Sequence, residues 1–158
     1  MAIAKIGPTQ FLKNFNMNIS ARNVFKGKIT GLTDGAVNAE VALTTAGGDT
    51  IVAIVTEGSV KLLGLAVGKD AVAYVKAPWV MVLTGDTQVR FSARNQFAGK
   101  VASVSKGAVN TEIGIELPGG TVVYAVITNE AVLELGLKPG VAATALIKAS
   151  HVVLGVSA

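Results

Sequence analysis

Apolar residues along this chain fall in short runs whose spacing predicts strands. Val37, Ala39, Val41 and Leu43 alternate with Asn38, Glu40 and Ala42, a period of two. Gly47-Gly48 then supplies a hairpin turn. The run that follows, Ile51-Val52-Ala53-Ile54-Val55, is apolar at every position, as is Val122 to Ile127 apart from the Tyr124 hydroxyl. A strand of that kind must have both faces covered. Between Thr56 and Gly64, the residues Val60, Leu63 and Leu65 predict one or two helical turns closed by glycine. Ala71 to Val75 and Val80 to Leu83 complete a set of about five strands and one short helix. The expected class is all-β, with a small five-stranded barrel of the OB type.

The same pattern is written twice. Ser20-Ala21-Arg22-Asn23 returns as Ser92-Ala93-Arg94-Asn95, an offset of 72 residues, and about 26 of the 64 positions from 20 to 83 are identical in the second copy. Gly35-Ala36-Val37-Asn38 returns as Gly107-Ala108-Val109-Asn110, and Leu63-Gly64-Leu65 as Leu135-Gly136-Leu137. Such self-similarity marks a tandem duplication. The expected organisation is an N-terminal extension over 1–16, a first OB-like domain over 17–85 and a second over 86–158, joined by the short polar turn Thr84-Gly85-Asp86-Thr87. In the extension, Phe11, Leu12 and Phe15 fit a small apolar stripe on a helix. Each copy is near the lower size limit for a self-sufficient core. Its surplus apolar face predicts further burial, between copies or between subunits.

Composition narrows the class. The chain of 158 residues is 51% hydrophobic, contains no cysteine and carries a formal charge of +4. Disulfides and thiolate metal sites are therefore excluded. The start, with Lys5 and Pro8, lacks the apolar stretch of a signal peptide, and no segment approaches the ~20 apolar residues that span a bilayer. The reading is a soluble, cytoplasmic protein without a membrane partner. Lysine and arginine are scattered rather than clustered, which argues against a nucleic-acid surface.

Catalytic constellations are missing. His151 is the single histidine, and its counterpart in the first copy is Trp79, so the repeat does not preserve it. Glu40 and Glu112 are the one carboxylate pair the duplication retains; on the polar side of an alternating strand they fit a solvated or salt-bridged face better than acid/base work. No Walker sequence occurs. No enzyme activity and no cofactor are expected.

The repeat does preserve hydrogen-bond donors. Ser20, Arg22 and Asn23, and again Ser92, Arg94 and Asn95, come at the start of a strand, while Lys76 and Lys148 come where another strand ends. Thr56 and Ser59 lie across the strand-to-helix junction. Hydroxyls, amides, backbone N–H groups and one ammonium suit a small, fully ionised oxyanion, which requires many directed donors and neither acid nor base. The same residues also fit a plain turn with a surface arginine and a solvated lysine at a strand end.

Taken in order, Ser-Ala-Arg-Asn, Phe-x-Gly-Lys, Gly-Ala-Val-Asn-x-Glu, Gly-Gly, Thr-x-x-Ser, Leu-Gly-Leu and Lys-Ala-Pro-Trp resemble the molbindin family, the Mop or TOBE-type molybdate-binding domains, in its two-domain form. The likeness runs from about residue 18 to residue 155. It implies OB-like barrels, a homotrimer in which six domains form a compact ring, and oxyanion sites between domains. Molybdate is the implied ligand, with tungstate as its analogue, in intracellular molybdenum storage or homeostasis. Carried over by position, the implied anion loop is Ser20, Ala21, Arg22 and Asn23, and Ser92, Ala93, Arg94 and Asn95. The partner side is Thr56, Ser59, Lys76 and Ala77 in the first copy and Thr128, Lys148, Ala149 and Ser150 in the second. Two departures stand out: Ser59 is matched by Ala131, and Pro78-Trp79 by Ser150-His151, so that Ser150 is placed to replace a donor lost elsewhere. Two other readings remain: an OB-type nucleic-acid-binding protein, and a regulatory or transport-associated molybdate sensor subunit.

Overall fold

The fold is that of a computed structural model, which describes residues 18–86 and 88–158; the stripe of Phe11, Leu12 and Phe15 lies outside the described residues. The first copy forms β1 (Asn23–Asp34), β2 (Asn38–Thr45), β3 (Thr50–Thr56), helix α1 (Glu57–Leu63), β4 (Asp70–Val75) and β5 (Met81–Leu83). The second repeats this order as β6 (Asn95–Lys106), β7 (Asn110–Glu116), β8 (Val122–Thr128), α2 (Asn129–Leu135), β9 (Ala142–Ile147) and β10 (Val153–Gly155). Short 3-10 turns, Ala77–Trp79 and Ala149–His151, precede β5 and β10. The expected strands and helices form, and both sheets curl into OB-like half-barrels.

Local chemistry explains the elements. In β2 the alternation buries Ala39, Val41 and Leu43, whereas Val37 sits before the strand and is exposed. Thr56 caps α1 by accepting from the Ser59 N–H at 3.1 Å, and Gly64 ends it at φ 61, a left-handed conformation that favours glycine. Thr128 caps α2 in the same way through the Ala131 N–H at 3.2 Å. In β1 a bulge between Ile29 and Gly31 bends a strand that pairs with β4 along one stretch and β2 along the next. The all-apolar run of β3 is buried on one face only, through Ile51 and Ala53; on the other, Ile54 is 38% exposed within the single chain.

The sheets do not follow the repeats. One has the order β10-β4-β1-β2-β3 and the other β5-β9-β6-β7-β8, all antiparallel. Each copy thus gives its last strand to the other: Val153 pairs with Tyr74 and Leu154 with Ala73, while Met81 pairs with Leu146 and Val82 with Ala145. Each sheet therefore takes its fifth strand from across the boundary expected at 85/86.

Residues 72 apart meet at four places. The Phe25 and Phe97 rings stack with centroids 6.2 Å apart, Trp79 and His151 lie 5.2 Å apart, Thr121 Oγ1 donates to Asp49 Oδ2 at 2.8 Å, and Gly47 lies beside Gly119. Equivalent residues touch only along an axis relating the copies, so a local twofold runs through the molecule. The buried cluster is continuous across it, with Ile29, Leu43 and Ile51 of one copy and Ile113, Ile115 and Ile147 of the other all buried. Joint burial answers the size problem of each copy.

Candidate functional site

The Asn23 side chain leaves its own sheet. Its Nδ2 donates to the Tyr124 carbonyl at 2.8 Å, and its Oδ1 accepts from the Tyr124 N–H at 2.7 Å. Asn95 treats Val52 in the same way, at 2.8 and 2.7 Å. Strands β3 and β8 are the outer strands of their sheets, so these amides satisfy peptide groups that no strand reaches. Asparagine suits this because one side chain carries both a donor and an acceptor. Both asparagines are buried, and each amide oxygen and one amide N–H are engaged across the two copies. One N–H of each side-chain amide is thus used within the protein, which gives Asn23 and Asn95 a structural role.

The arginines are also engaged. Arg22 reaches Glu112 with Nε and Nη2, each at 3.3 Å, while its guanidinium carbon stands 3.6 Å over the Tyr124 ring. The bond to Glu112 raises the Arg22 pKa further above its ordinary value, with burial opposing. Arg94 pairs with Glu40 in the equivalent place, without an aromatic ring, because Val52 stands where the other copy has Tyr124. Glu40 and Glu112 therefore form the salt-bridged face that their position suggested, and they neutralise the cations expected for a ligand. Gln96 fastens the second loop by donating to the Ala93 carbonyl at 3.0 Å. Ser20 and Ser92 are exposed, Ala21 is half-buried and Ala93 is buried.

The partner-side residues regroup crosswise. Because the last strands are exchanged, the turn Ala149–His151 packs against β3 and the turn Ala77–Trp79 against β8. A cleft of about 340 Å³ results, lined by Thr56, Ser59 and Asn38 of the first copy and Ser150 of the second, with Ile54, Leu63 and Val153 among its apolar walls. Thr56 and Ser59 therefore line one cleft with Ser150, on the turn that Lys148 opens. The turn that Lys76 opens packs against β8, whose last residue is Thr128. Ala77 and Ala149 are buried; Lys76 and Lys148 are exposed just before the two turns. Nor does Ser150 replace the hydroxyl missing at Ala131, since it joins the cleft that already holds Ser59. Asn38 is a cleft residue the sequence reading missed, although its return as Asn110 was a signal.

Chemically, the cleft offers hydroxyl and amide donors. Among the described residues no group of three or more His, Asp or Glu side chains could hold a metal ion, and no helix is long and apolar enough to cross a membrane.

Comparison with known proteins places this geometry. The TOBE domain model matches residues 19–82 and 92–154. The molybdenum-pterin-binding protein MopA of Rhodobacter capsulatus is 45% identical over 143 residues, 90% of this chain and 54% of that protein. The molybdenum transport protein ModE of Azotobacter vinelandii is 41% identical over 147 residues, 93% of this chain and 54% of that one. The chain spans about half the length of these curated relatives. A solved structure of the cytoplasmic molybdate-binding protein ModG with molybdate bound covers 89% of this chain and 100% of its own, at 54% identity and a TM-score of 0.86. Two TOBE matches in tandem on this fold make the chain a member of the TOBE-domain family in its two-domain, di-Mop molbindin form.

Proposed function

We propose that this protein binds molybdate, with tungstate as its analogue, as an intact oxyanion and without a cofactor, in cytoplasmic molybdenum storage or homeostasis. The observation that carries the reading is the gathering of Thr56, Ser59 and Ser150 from opposite copies into one cleft, with Lys148 opening the turn that carries Ser150. A dianion withdrawn from water needs its charge compensated and its oxygens hydrogen-bonded. Neutral hydroxyls and backbone N–H groups supply direction, and a lysine adds a charge-assisted bond. The molybdate-bound relative ModG, of the same fold, supports the ligand assignment. Discrimination against sulfate rests on size, since a smaller ion leaves some buried donors unsatisfied.

Assembly as a homotrimer, with further sites between subunits, belongs to the same reading. It is supported by the apolar residues left exposed in the single chain, Ile54, Met81 and Val153 among them. No enzymatic role is proposed: the relatives are named for molybdenum binding and transport, and the duplication retains no constellation that combines an acid or base with a nucleophile.

The test is calorimetric titration with molybdate, tungstate, sulfate and phosphate. Molybdate and tungstate are expected to bind, and Lys148→Ala to weaken binding at least about tenfold. Indifference to all four ions would overturn the reading. A second reading, a molybdate-sensing part of a regulator, is favoured by the DNA-binding regulator ModE of Escherichia coli, 33% identical over 145 residues. Recovery of a bound DNA-binding subunit in a pull-down would favour it.

A further inference from the structure

The local twofold sets position 79 of the first copy against its counterpart 151 in the second, with the Trp79 and His151 rings 5.2 Å apart and inclined by 39°. A residue at this position meets its own equivalent, so a faithful duplication would pair two like rings. The chain instead places its one tryptophan against its one histidine. His151 is half-buried, yet its Nδ1 is shut off from water and has no hydrogen-bond partner. Buried polar atoms are ordinarily partnered, and one left alone calls for an explanation.

We propose that the Trp79–His151 contact is a pH-sensitive latch between the two copies, closed while the imidazole is neutral and opened when the ring takes up a second proton. The rings end the turns Ala77–Trp79 and Ala149–His151, which pack against β8 and β3 of the opposite copies and lead directly into the exchanged strands β5 and β10. Opening the latch therefore loosens the joint between the copies without breaking either sheet.

A neutral imidazole carries one N–H, so Nδ1 can occupy this place as a bare acceptor. The imidazolium carries two, and Nδ1–H then has nothing to donate to. A charged donor shut off from water without an acceptor costs more than the face of an indole returns to a cation. Rotation of the half-buried side chain takes both N–H groups out to water and away from Trp79. The surroundings supply no acceptor that would hold the charged ring in place. β3, on which the His151 turn packs, has no ionisable side chain, and neither have the turn Ala77–Trp79 and the strand β10 that follows His151. β8 carries only Tyr124, which lies under Arg22. Lys76 and Lys148, the residues before the two turns, are exposed cations and accept no hydrogen bond at their side chains. Among the described residues no carboxylate pairs with His151.

The experiment follows the emission of Trp79 and its quenching by acrylamide in the full chain from about pH 8 down to about pH 5, the range in which histidine changes charge. Far-UV circular dichroism confirms the fold at each pH. Acidification should move the emission to longer wavelength and raise the quenching, as the imidazole leaves the indole to water. In His151→Phe, whose ring cannot charge, both readings should stay flat; His151→Gln, uncharged throughout, gives the same control should the phenylalanine variant not fold. The nuclear Overhauser contact between the His151 and Trp79 rings should fade over the same range. An imidazolium that stays over the indole would dim the emission without changing its wavelength or the acrylamide quenching, and would overturn the latch. So would flat readings in the unsubstituted chain, or an equal acid response in the variants. No ligand enters the measurement, so either outcome leaves the oxyanion-binding reading untouched.

Discussion

The side-chain amide of Asn23 closes both hydrogen bonds of the Tyr124 peptide unit, 101 residues away, and so stands in for a strand at the outer edge of the second sheet. Asn95 does the same for Val52. These reciprocal pairs tie the two copies together through polar groups that have no alternative partner once the halves dock.

Asn23→Ala should therefore lower stability sharply. Truncation leaves a peptide N–H and a carbonyl unpaired at a closed interface, each costing roughly 1–3 kcal/mol. A loss of about 2–4 kcal/mol is expected in urea unfolding, with Asn95→Ala behaving alike. A change below about 0.5 kcal/mol would mean that water replaces the amide.

Two glycines of β1 should respond to alanine to very different degrees. A Cβ on Gly27 would lie 2.1 Å from the Thr44 carbonyl oxygen, a backbone atom held in the β1–β2 ladder. At Gly31 the nearest atom is the Ala42 Cβ at 3.4 Å, an ordinary contact. Gly27→Ala is expected to cost about 3 kcal/mol or more and Gly31→Ala less than about 1 kcal/mol. Thermal unfolding of the two variants side by side checks the contrast.

The arginine pairs should matter little for stability. Arg94 and Glu40 are 54% and 41% exposed at the side chain, and exposed ion pairs contribute roughly 0–1 kcal/mol. A double-mutant cycle on Arg94 and Glu40 should give a coupling of a few tenths of a kcal/mol that fades in high salt. Arg22→Lys should be less neutral than Arg94→Lys, because only Arg22 lies over an aromatic ring.

Strand exchange can be tested directly. Removal of residues 153–158 deletes β10, whose partner is β4 of the first copy. Amide exchange should then accelerate in Asp70–Val75, while β9, paired with β5 and β6, keeps its protection. Loss of protection centred on β9 instead would contradict the exchanged topology.

The sequence by itself determined the elements and their duplication. Period-two burial in β2, the Thr56 and Thr128 caps and the closing glycines at 64 and 136 are all local, set by residues a few positions apart. It also marked most of the candidate donors, because a position retained in both copies stands out against one that drifts. The tertiary structure alone decided which β-strand edge each last strand joins. Val72-Ala73-Tyr74 and Thr144-Ala145-Leu146 are similar enough that hydrophobic pattern does not choose between them, and the choice depends on how the copies dock about their twofold. That docking commits Asn23 and Asn95 to distant peptide groups, sets Arg22 and Arg94 against glutamates, and moves Ser150 beside Ser59. Contacts between residues tens of positions apart are fixed by the packing of whole sheets, and no short stretch of chain encodes them.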